Sequence, residues 1–237
     1  MTPLIRVKDL SVRYGRSTAV SGISFDVAPG EALGLLGANG AGKSSTVKAI
    51  LGMLKPSTGE VRVFDSVPGS LSVLERTGFA PEEALPPEKV TGQEYLMFLA
   101  RLRIADASSR ETEVRLLLEQ FDLTPNKRVS AYSKGMRRRL VLAQAFIGTP
   151  ELLILDEPLN GLDPLIILKL RQRLEAYRQA GGTLIYSSHI LAEVEKSCSR
   201  ILILKNGHIV LDSSTSEAVG KYGSVEAAFE ATAGGAA

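Results

Sequence analysis

The stretch that most constrains this chain is Gly37-Ala38-Asn39-Gly40-Ala41-Gly42-Lys43-Ser44-Ser45, placed directly after the apolar run Ala32-Leu33-Gly34-Leu35-Leu36. A turn needs one or two glycines. This one has three, then a lysine with two hydroxyls behind it. The spacing fits G-x-x-x-x-G-K-[ST] over 37–44. Glycines let consecutive amide N–H groups converge on phosphate oxygens without interference from a Cβ. A helix beginning at Lys43 adds the positive end of its dipole. Lys43 supplies a full charge to β- and γ-phosphates, and Ser44 offers a hydroxyl to Mg²⁺. A glycine-rich turn with an incidental lysine is the bland alternative, and it leaves the strand before and the helix after unexplained.

Composition limits what surrounds that cradle. The 237 residues suit one large domain or two small ones. Hydrophobic content of 44% and charged content of 23% are those of a soluble globular chain. The net charge of +2, from 28 basic and 26 acidic residues, argues against a protein whose main task is gripping nucleic acid. No apolar run approaches the roughly 18 to 20 residues that span a bilayer. The start, MTPLIRVKDL, lacks the basic segment and apolar run of a signal peptide. Cys198 is the single cysteine, so a disulfide framework and a cysteine metal cluster are not expected. Inside a helix it reads as packing. These features suggest a cytosolic chain.

Along the chain, 4–14 alternates like an edge strand and 16–28 continues the sheet. Residues 32–36 form a buried strand, 43–54 a helix and 59–65 a strand. The texture changes near 81, where Pro81, Pro86 and Pro87 surround acidic residues. Thr91-Gly92-Gln93-Glu94 makes a capping box. Behind it Tyr95, Phe98, Leu99 and Leu102 fall at the spacing of an apolar helix face. A second amphipathic helix covers about 110–121, so 82–148 reads as a mainly helical insert. Strand and helix alternate again from 152, with strands at 152–156, 183–187 and 201–205. Asn206-Gly207 predicts a type I′ hairpin turn. The terminal AGGAA reads as frayed. The alternation implies a parallel sheet covered on both faces.

A triphosphate needs partners for its metal and its attacking water. Leu152-Leu153-Ile154-Leu155-Asp156-Glu157 is a buried strand ending in two carboxylates, and strand tips are where open α/β sheets hold their ligands. Asp156 is placed to hold Mg²⁺ through water, and Glu157 to polarise a water for in-line attack on the γ-phosphate. Without the cradle, an Asp-Glu pair there reads equally well as a helix N-cap. His189 follows the strand at 183–187. A lone histidine is usually structural, but at this strand end an imidazole is also within reach of a γ-phosphate.

Upstream of Asp156 lies Tyr132-Ser133-Lys134-Gly135-Met136. With this stretch, nearly the whole chain resembles the ATP-binding cassette family, the motor subunits of ABC transporters. The motifs stand in the family's order: GANGAGKSS as Walker A, YSKGM in place of LSGGQ, LLILDEP as Walker B, LNGLD at 159–163 as the D-loop (Asn160, Gly161, Leu162 and Asp163), and His189 as the switch histidine. The resemblance implies an α/β P-loop NTPase with a RecA-like parallel core, an antiparallel β lobe and a helical subdomain. One cassette spans 1–237, with 1–81 and 149–237 as core and lobe and 82–148 as the subdomain. It implies ATP as ligand and hydrolysis by Glu157 with His189. Ser44, Asp156 and Glu82 hold Mg²⁺, and Tyr14 stacks on adenine. It also implies a second, head-to-tail cassette, taken as a second copy, whose Ser133, Lys134, Gly135 and Met136 cap the ATP held by the opposing Walker A. A separate transmembrane permease completes the assembly, with the cassette on the cytoplasmic side of the membrane and no nucleic acid as partner.

Ser133 reads as an N-cap and Gly135 as an accessible amide, together an anion site at a helix start. Lys134, Arg137, Arg138 and Arg139 then crowd the first turns of that helix, where cations oppose the dipole. They form either a solvated face with acidic neighbours or a place where an outside anion arrives.

Glu82 stands where the family usually has glutamine, Lys134 where it has glycine, Met136 where it has glutamine, and Arg138 where a glutamine often follows. A carboxylate at 82 can ligate Mg²⁺ but cannot donate as an amide does. These changes resemble the branch serving exporters of drugs, lipids and polysaccharides, including sodium and daunorubicin exporters. A soluble cassette of DNA repair or translation is the other class. Against it stand a single cassette, no long coiled coil between the motifs, no zinc-finger cysteines and no basic surplus. A P-loop kinase for a small molecule would leave YSKGM unexplained.

Overall fold

Over residues 2–234, which the computed structural model describes, the chain runs β1 (Ile5–Tyr14), β2 (Ser17–Val27), β3 (Ala32–Gly37), α1 (Lys43–Ile50), β4 (Thr58–Val63), α2 (Leu71–Leu74), β5 (Thr77–Ala80), α3 (Gly92–Arg101) and α4 (Ala107–Gln120). After a 3-10 turn at Val129–Ala131 come α5 (Lys134–Ala145), β6 (Leu152–Asp156), α6 (Pro164–Gln179), β7 (Thr183–Ser187), α7 (Leu191–Ser197), β8 (Arg200–Lys205), β9 (His208–Ser214), α8 (Thr215–Tyr222) and α9 (Val225–Thr232).

Six strands form one sheet in the order β5-β6-β7-β3-β8-β9. The ladders are parallel except between β8 and β9, which are antiparallel. β3, β6 and β7 are buried over their whole length. Their near-continuous aliphatic sequences are what a strand covered on both faces requires. Successive residues feed opposite cores. Leu153, Leu155, Leu184, Tyr186, Ile201 and Ile203 join a cluster with residues of α3 to α9. Leu33, Leu35, Leu152, Ile154, Ile185, Leu202 and Leu204 join one with α1 and the smaller sheet. That sheet has the order β2-β1-β4 and is antiparallel. The helix-side cluster runs without a break from the parallel strands into α3, α4 and α5.

The expected parallel sheet, the strands at 152–156 and 183–187 and the hairpin are as the residues suggest. Asn206 and Gly207 both have positive φ, at 49° and 79°, as a type I′ turn needs. Four readings are corrected. β1 is the central strand of its sheet, between β2 and β4. Its alternation reports one covered face, not an edge. α1 ends at Ile50 rather than near 54, because Leu51 caps it and Gly52 turns left-handed at φ 71°. α4 starts earlier than 110, where the Asp106 carboxylate accepts from Ser109 N at 2.7 Å. The apolar face of α3 is also rotated. Leu96 and Ala100 are buried, whereas Phe98 and Leu102 are 59% and 66% exposed. The capping box forms as expected, with Thr91 Oγ1 accepting from Glu94 N and Glu94 Oε2 from Thr91 N. α3 packs through Leu96 and Ala100, with Tyr95 and Leu99 half-buried beside them, and at its start the Tyr132 hydroxyl lies 2.2 Å from where a Cβ on Gly92 would stand. The spacing of Tyr95, Phe98, Leu99 and Leu102 and that of Leu96 and Ala100 both fit a helix face, and only packing chooses between them.

α8 and α9 have no counterpart in the sequence reading. Cys198 follows α7 rather than lying within it; it is buried, and burial pushes its thiol up to about 12, which fits a packing role. Of the AGGAA run, Ala233 and Gly234 hydrogen-bond back to Phe229, and 235–237 lie outside the described residues.

β5 lies against the end of α5 with no room to spare, since a Cβ on Gly78 would stand 1.9 Å from the Ala145 carbonyl oxygen. Gly78→Ala should destabilise the chain by about 1–3 kcal/mol, as overpacking does. Urea unfolding measures this, and a curve superposing on that of the wild type would contradict the contact.

Candidate active site

The loop after β3 is shaped by close approaches that exclude side chains. A Cβ on Gly37 would stand 2.7 Å from Leu204 O, and one on Gly42 2.6 Å from Ala19 O. Gly42, at φ 110°, is the N-cap of α1. No side chain caps this helix, and its first turn carries no acidic residue. Its leading N–H groups are therefore left for an outside acceptor. The turn between β8 and β9 braces the loop through Gly207 N donating to Ala41 O at 3.1 Å. Lys43 is buried and donates from Nζ to Gly37 O at 2.7 Å and to Ala38 O at 3.3 Å. The charge is thus held over the cradle by the loop's own carbonyls. Ala38, Asn39 and Gly40 form the exposed rim, and Ser44 and Ser45 are half-buried. Tyr14, half-exposed, stands with its hydroxyl 3.4 Å from Ser45 Oγ, which puts an aromatic ring beside the loop.

Register brings the second group of residues to the same rim. Ser187 of β7 pairs with Asp156 on one side and with Leu35 of β3 on the other. The ends of β6, β7 and β3 are therefore neighbours, at the carboxyl ends where doubly wound sheets bind ligands. Asp156 is buried, and its Oδ1 accepts a short hydrogen bond from Ser187 Oγ. Glu157 is buried as well, in a left-handed backbone conformation at φ 47°. Its N–H donates to Ser187 O at 2.9 Å. Its Oε2 lies 2.7 Å from His189 Nδ1 and accepts from His189 N at 3.3 Å. The pair has one dry member and one wet member, with side chains 7% and 57% exposed. Glu157 and His189 lie far apart in the sequence, and the β6–β7 register brings them into contact. Ser187 does not stand out in the sequence. A hydroxyl following an aliphatic strand is common, and only the β6–β7 register gives it a role.

The third group lies at the start of α5. Ser133 caps the helix, accepting from Met136 N at 3.1 Å. Gly135 has its missing Cβ 3.2 Å from Gly161 O, so the 133–136 segment and the 159–163 loop pack together. In that loop Asp163 caps α6 through Ile166 N at 3.0 Å, and Leu162 packs against the core. Asn160 Nδ2 donates to Glu82 Oε1 at 3.1 Å. The three arginines are spent on groups of this chain rather than on an outside anion, and one of them meets an acidic neighbour, Asp122. Lys134 is exposed, but the three arginines are committed inside the chain. Arg137 donates to Val129 O and Ser130 O, and Arg139 to Phe121 O, Asp122 O and the Asp122 carboxylate. Arg138 is buried, and all five of its bonds go to carbonyl oxygens. Burial draws its guanidinium below the usual value, while Asp156, Glu82 and Glu157 pull the other way.

Among the described residues, no three His, Cys, Asp or Glu side chains gather as a metal cage. The donors at the rim, the Asp156 carboxylate and the Ser44 hydroxyl, are hard oxygens of the kind Mg²⁺ takes alongside substrate phosphates. The set fits that ion as a partner of a bound triphosphate.

Comparison with known proteins agrees with this architecture. The family model described as "ABC transporter" matches residues 20–160. The Nod factor export ATP-binding protein I of Rhizobium meliloti (strain 1021) is 39% identical over 89% of this chain and 64% of its own. The ABC-type transporter ATP-binding protein EcsA of Bacillus subtilis (strain 168) is 33% identical over 96% of this chain and 94% of its own. A solved structure of an ATP binding subunit of an ABC transporter superposes with a TM-score of 0.90 at 30% identity, covering 97% of this chain and 99% of that one. The chain spans about three fifths of the length of several curated relatives, 62%, 64% and 57% in three of them. Matched over more than half its length and from end to end in fold, the chain belongs to the ABC transporter family.

Proposed function

We propose that this chain binds and hydrolyses ATP as a pair with a second copy of itself, and drives a separate membrane-spanning permease from the cytoplasmic side, in the direction of export. The observation that carries the reading is the contact between Glu157 and His189 at the rim that also bears the glycine loop. In this reading the α1 N–H groups and Lys43 take the β- and γ-phosphates, with Lys43 exchanging the carbonyls of Gly37 and Ala38 for phosphate oxygens. Tyr14 stacks on the adenine. Ser44, Asp156 and Glu82 would hold Mg²⁺, which when bound supplies charge neutralisation on the phosphates. Glu82 would first have to release Asn160.

Glu157 accepts the proton of a water whose oxygen attacks the γ-phosphorus in line. The new P–O bond forms as the bond to the β,γ-bridging oxygen breaks, and ADP leaves with that oxygen. His189, its Nδ1 facing Glu157, aims the carboxylate and leaves Nε2 for the γ-phosphate.

The second copy enters this reading because Ser133 and Lys134 are exposed and Gly135 and Met136 half-buried at the start of α5, where an anion brought by another chain can reach them. As a cap Ser133 uses its oxygen as acceptor, and its hydroxyl proton remains free to donate. Ser133, Lys134, Gly135 and Met136 of one copy would close on the triphosphate held by the other. We take 1–81 with 149–237 as the nucleotide-binding core and β lobe, and 82–148 as the helical subdomain carrying that surface. No helix among the described residues is long and apolar enough to cross a membrane. The permease reading draws on exposed apolar residues of α2 (Leu71, Leu74), of α3 (Phe98) and of its C-cap (Leu102), with Arg103, just past α3, donating to Leu74 O at 3.1 Å. The direction draws on the export named for the Nod factor relative.

Lys43→Ala should weaken MgATP binding by about tenfold or more, the loss of a charge-assisted bond; unchanged affinity in a calorimetric titration would reject the cradle. Glu157→Gln should keep ATP affinity and lower kcat by about a hundredfold or more, as removal of a general base does; normal turnover would remove Glu157 from that role. Ser133→Arg should impair hydrolysis while sparing nucleotide binding to the isolated chain. Full activity in that variant would leave the paired site without support.

A further inference from the structure

Arg138 lies one turn into α5, and its guanidinium joins two segments distant in sequence. Nη2 donates to Asp156 O at 2.9 Å and Glu157 O at 2.7 Å, and Nε to Pro158 O at 3.3 Å. Nη1 donates to Pro81 O and, at 3.2 Å, to Glu82 O. Three consecutive carbonyls, from the last residue of β6 and the two after it, and two after β5 therefore converge on one planar group. A lysine cannot reproduce this, because its three donors radiate from a single nitrogen, whereas arginine presents five in a fixed fork.

The carbonyls after β6 belong to a backbone that needs holding. Glu157 is left-handed at φ 47°, a region costly for a residue with a side chain. It also precedes Pro158, and a residue before proline is driven toward extended conformations. Both ends of Glu157 are held, its N–H by Ser187 O and its C=O by Arg138 at 2.7 Å, with Asn160 N of the same loop donating to that carbonyl at a longer 3.3 Å. That bend sends the Glu157 carboxylate to His189. The two carbonyls after β5 belong to Pro81 and to Glu82, whose carboxylate meets Asn160.

We propose that Arg138 is a positioning residue for hydrolysis. It holds Glu157 in the left-handed bend that aims its carboxylate, and it ties that bend to the Glu82 loop, so that a displacement of α5 relative to the parallel sheet moves both together. The inference rests on the ATPase reading above and goes beyond it. It assigns to a side chain whose five hydrogen bonds all go to backbone carbonyls the task of transmitting the placement of α5 to the base.

The test uses the full chain with Arg138→Lys and Arg138→Gln, and two readouts. The first is amide hydrogen exchange over 156–161 in nucleotide-free protein, with 37–46 as the internal reference. The second is steady-state ATP hydrolysis. Arg138→Lys should speed exchange over 156–161 about tenfold or more while 37–46 stays at the wild-type rate. It should also lower kcat about tenfold or more with KM for ATP within about threefold, the split expected when a transition-state group is misplaced but binding is spared. Arg138→Gln should show the same pattern. If that variant does not fold, Arg138→Lys alone decides. Wild-type exchange in Arg138→Lys, or wild-type kcat despite faster exchange, overturns the proposal. So does a parallel loss of ATP affinity, melting temperature and kcat, which would make Arg138 a core-filling residue only. A wild-type chain that binds ATP without turnover would instead overturn the ATPase reading and the catalytic half of this one, and the exchange data would still decide whether Arg138 sets the bend.

Discussion

The lateral order of β6, β7 and β3 decides where polar chemistry can exist in this molecule. These strands are aliphatic and covered on both faces, so a charge within them would have no partner and would cost several kcal/mol. Polar groups emerge only where the strands end, and three ends lie side by side because Ser187 pairs across to both Asp156 and Leu35. Lys43, Asp156, Glu157, Ser187 and Ser188 are all buried at that rim. Hydrogen bonds satisfy each of them, Ser188 through Ile190 N at 3.0 Å. Changing the strand order would leave the same motifs in sequence but no common site.

The second dependence runs through α5. Its first turn is unusual in carrying cations against the helix dipole, and the compensation is internal. Arg137, Arg138 and Arg139 place their charges on backbone carbonyls of three different neighbours: the turn before α5, the strand ends after β5 and β6, and the end of α4. For the buried Arg138 all of these partners are carbonyls, whereas Arg139 also meets the Asp122 carboxylate. The helix that bears Ser133 is thereby fastened to Glu82 and Glu157, and Gly135 is fastened to the Asn160–Asp163 loop by close approach at Gly161.

Local signals were legible in the sequence, and signals set by pairing were not. The 37–45 stretch carries its own backbone requirements, Asn206-Gly207 its own turn, and Ser133 and Thr91 their own caps, so each could be read without a fold. The contact of Glu157 with His189 spans 32 residues and exists only because β6 and β7 are adjacent. The apolar face of α3 is turned from the expected one: Leu96 and Ala100 are buried and Tyr95 and Leu99 half-buried against the core, while Phe98 and Leu102 are exposed. The arginines of α5 were read as outward-facing because nothing in their spacing reveals carbonyls waiting after Pro81 and Asp156. β1 alternates as an edge strand would, yet lies in the middle of its sheet, because alternation reports a covered face and says nothing about neighbours.

The central claim is that one triphosphate is enclosed by the strand-end rim of one copy and the start of α5 of another. A crystal structure of the chain with Mg²⁺ and a nonhydrolysable ATP analogue tests it most directly. The account predicts phosphates on the amides at the start of α1, the metal beside Ser44 and Asp156, and Ser133 and Gly135 of a second copy within hydrogen-bonding distance of the γ-phosphate. An analogue seated on the loop at Lys43 with its γ-phosphate open to solvent and no second copy against it would contradict the account.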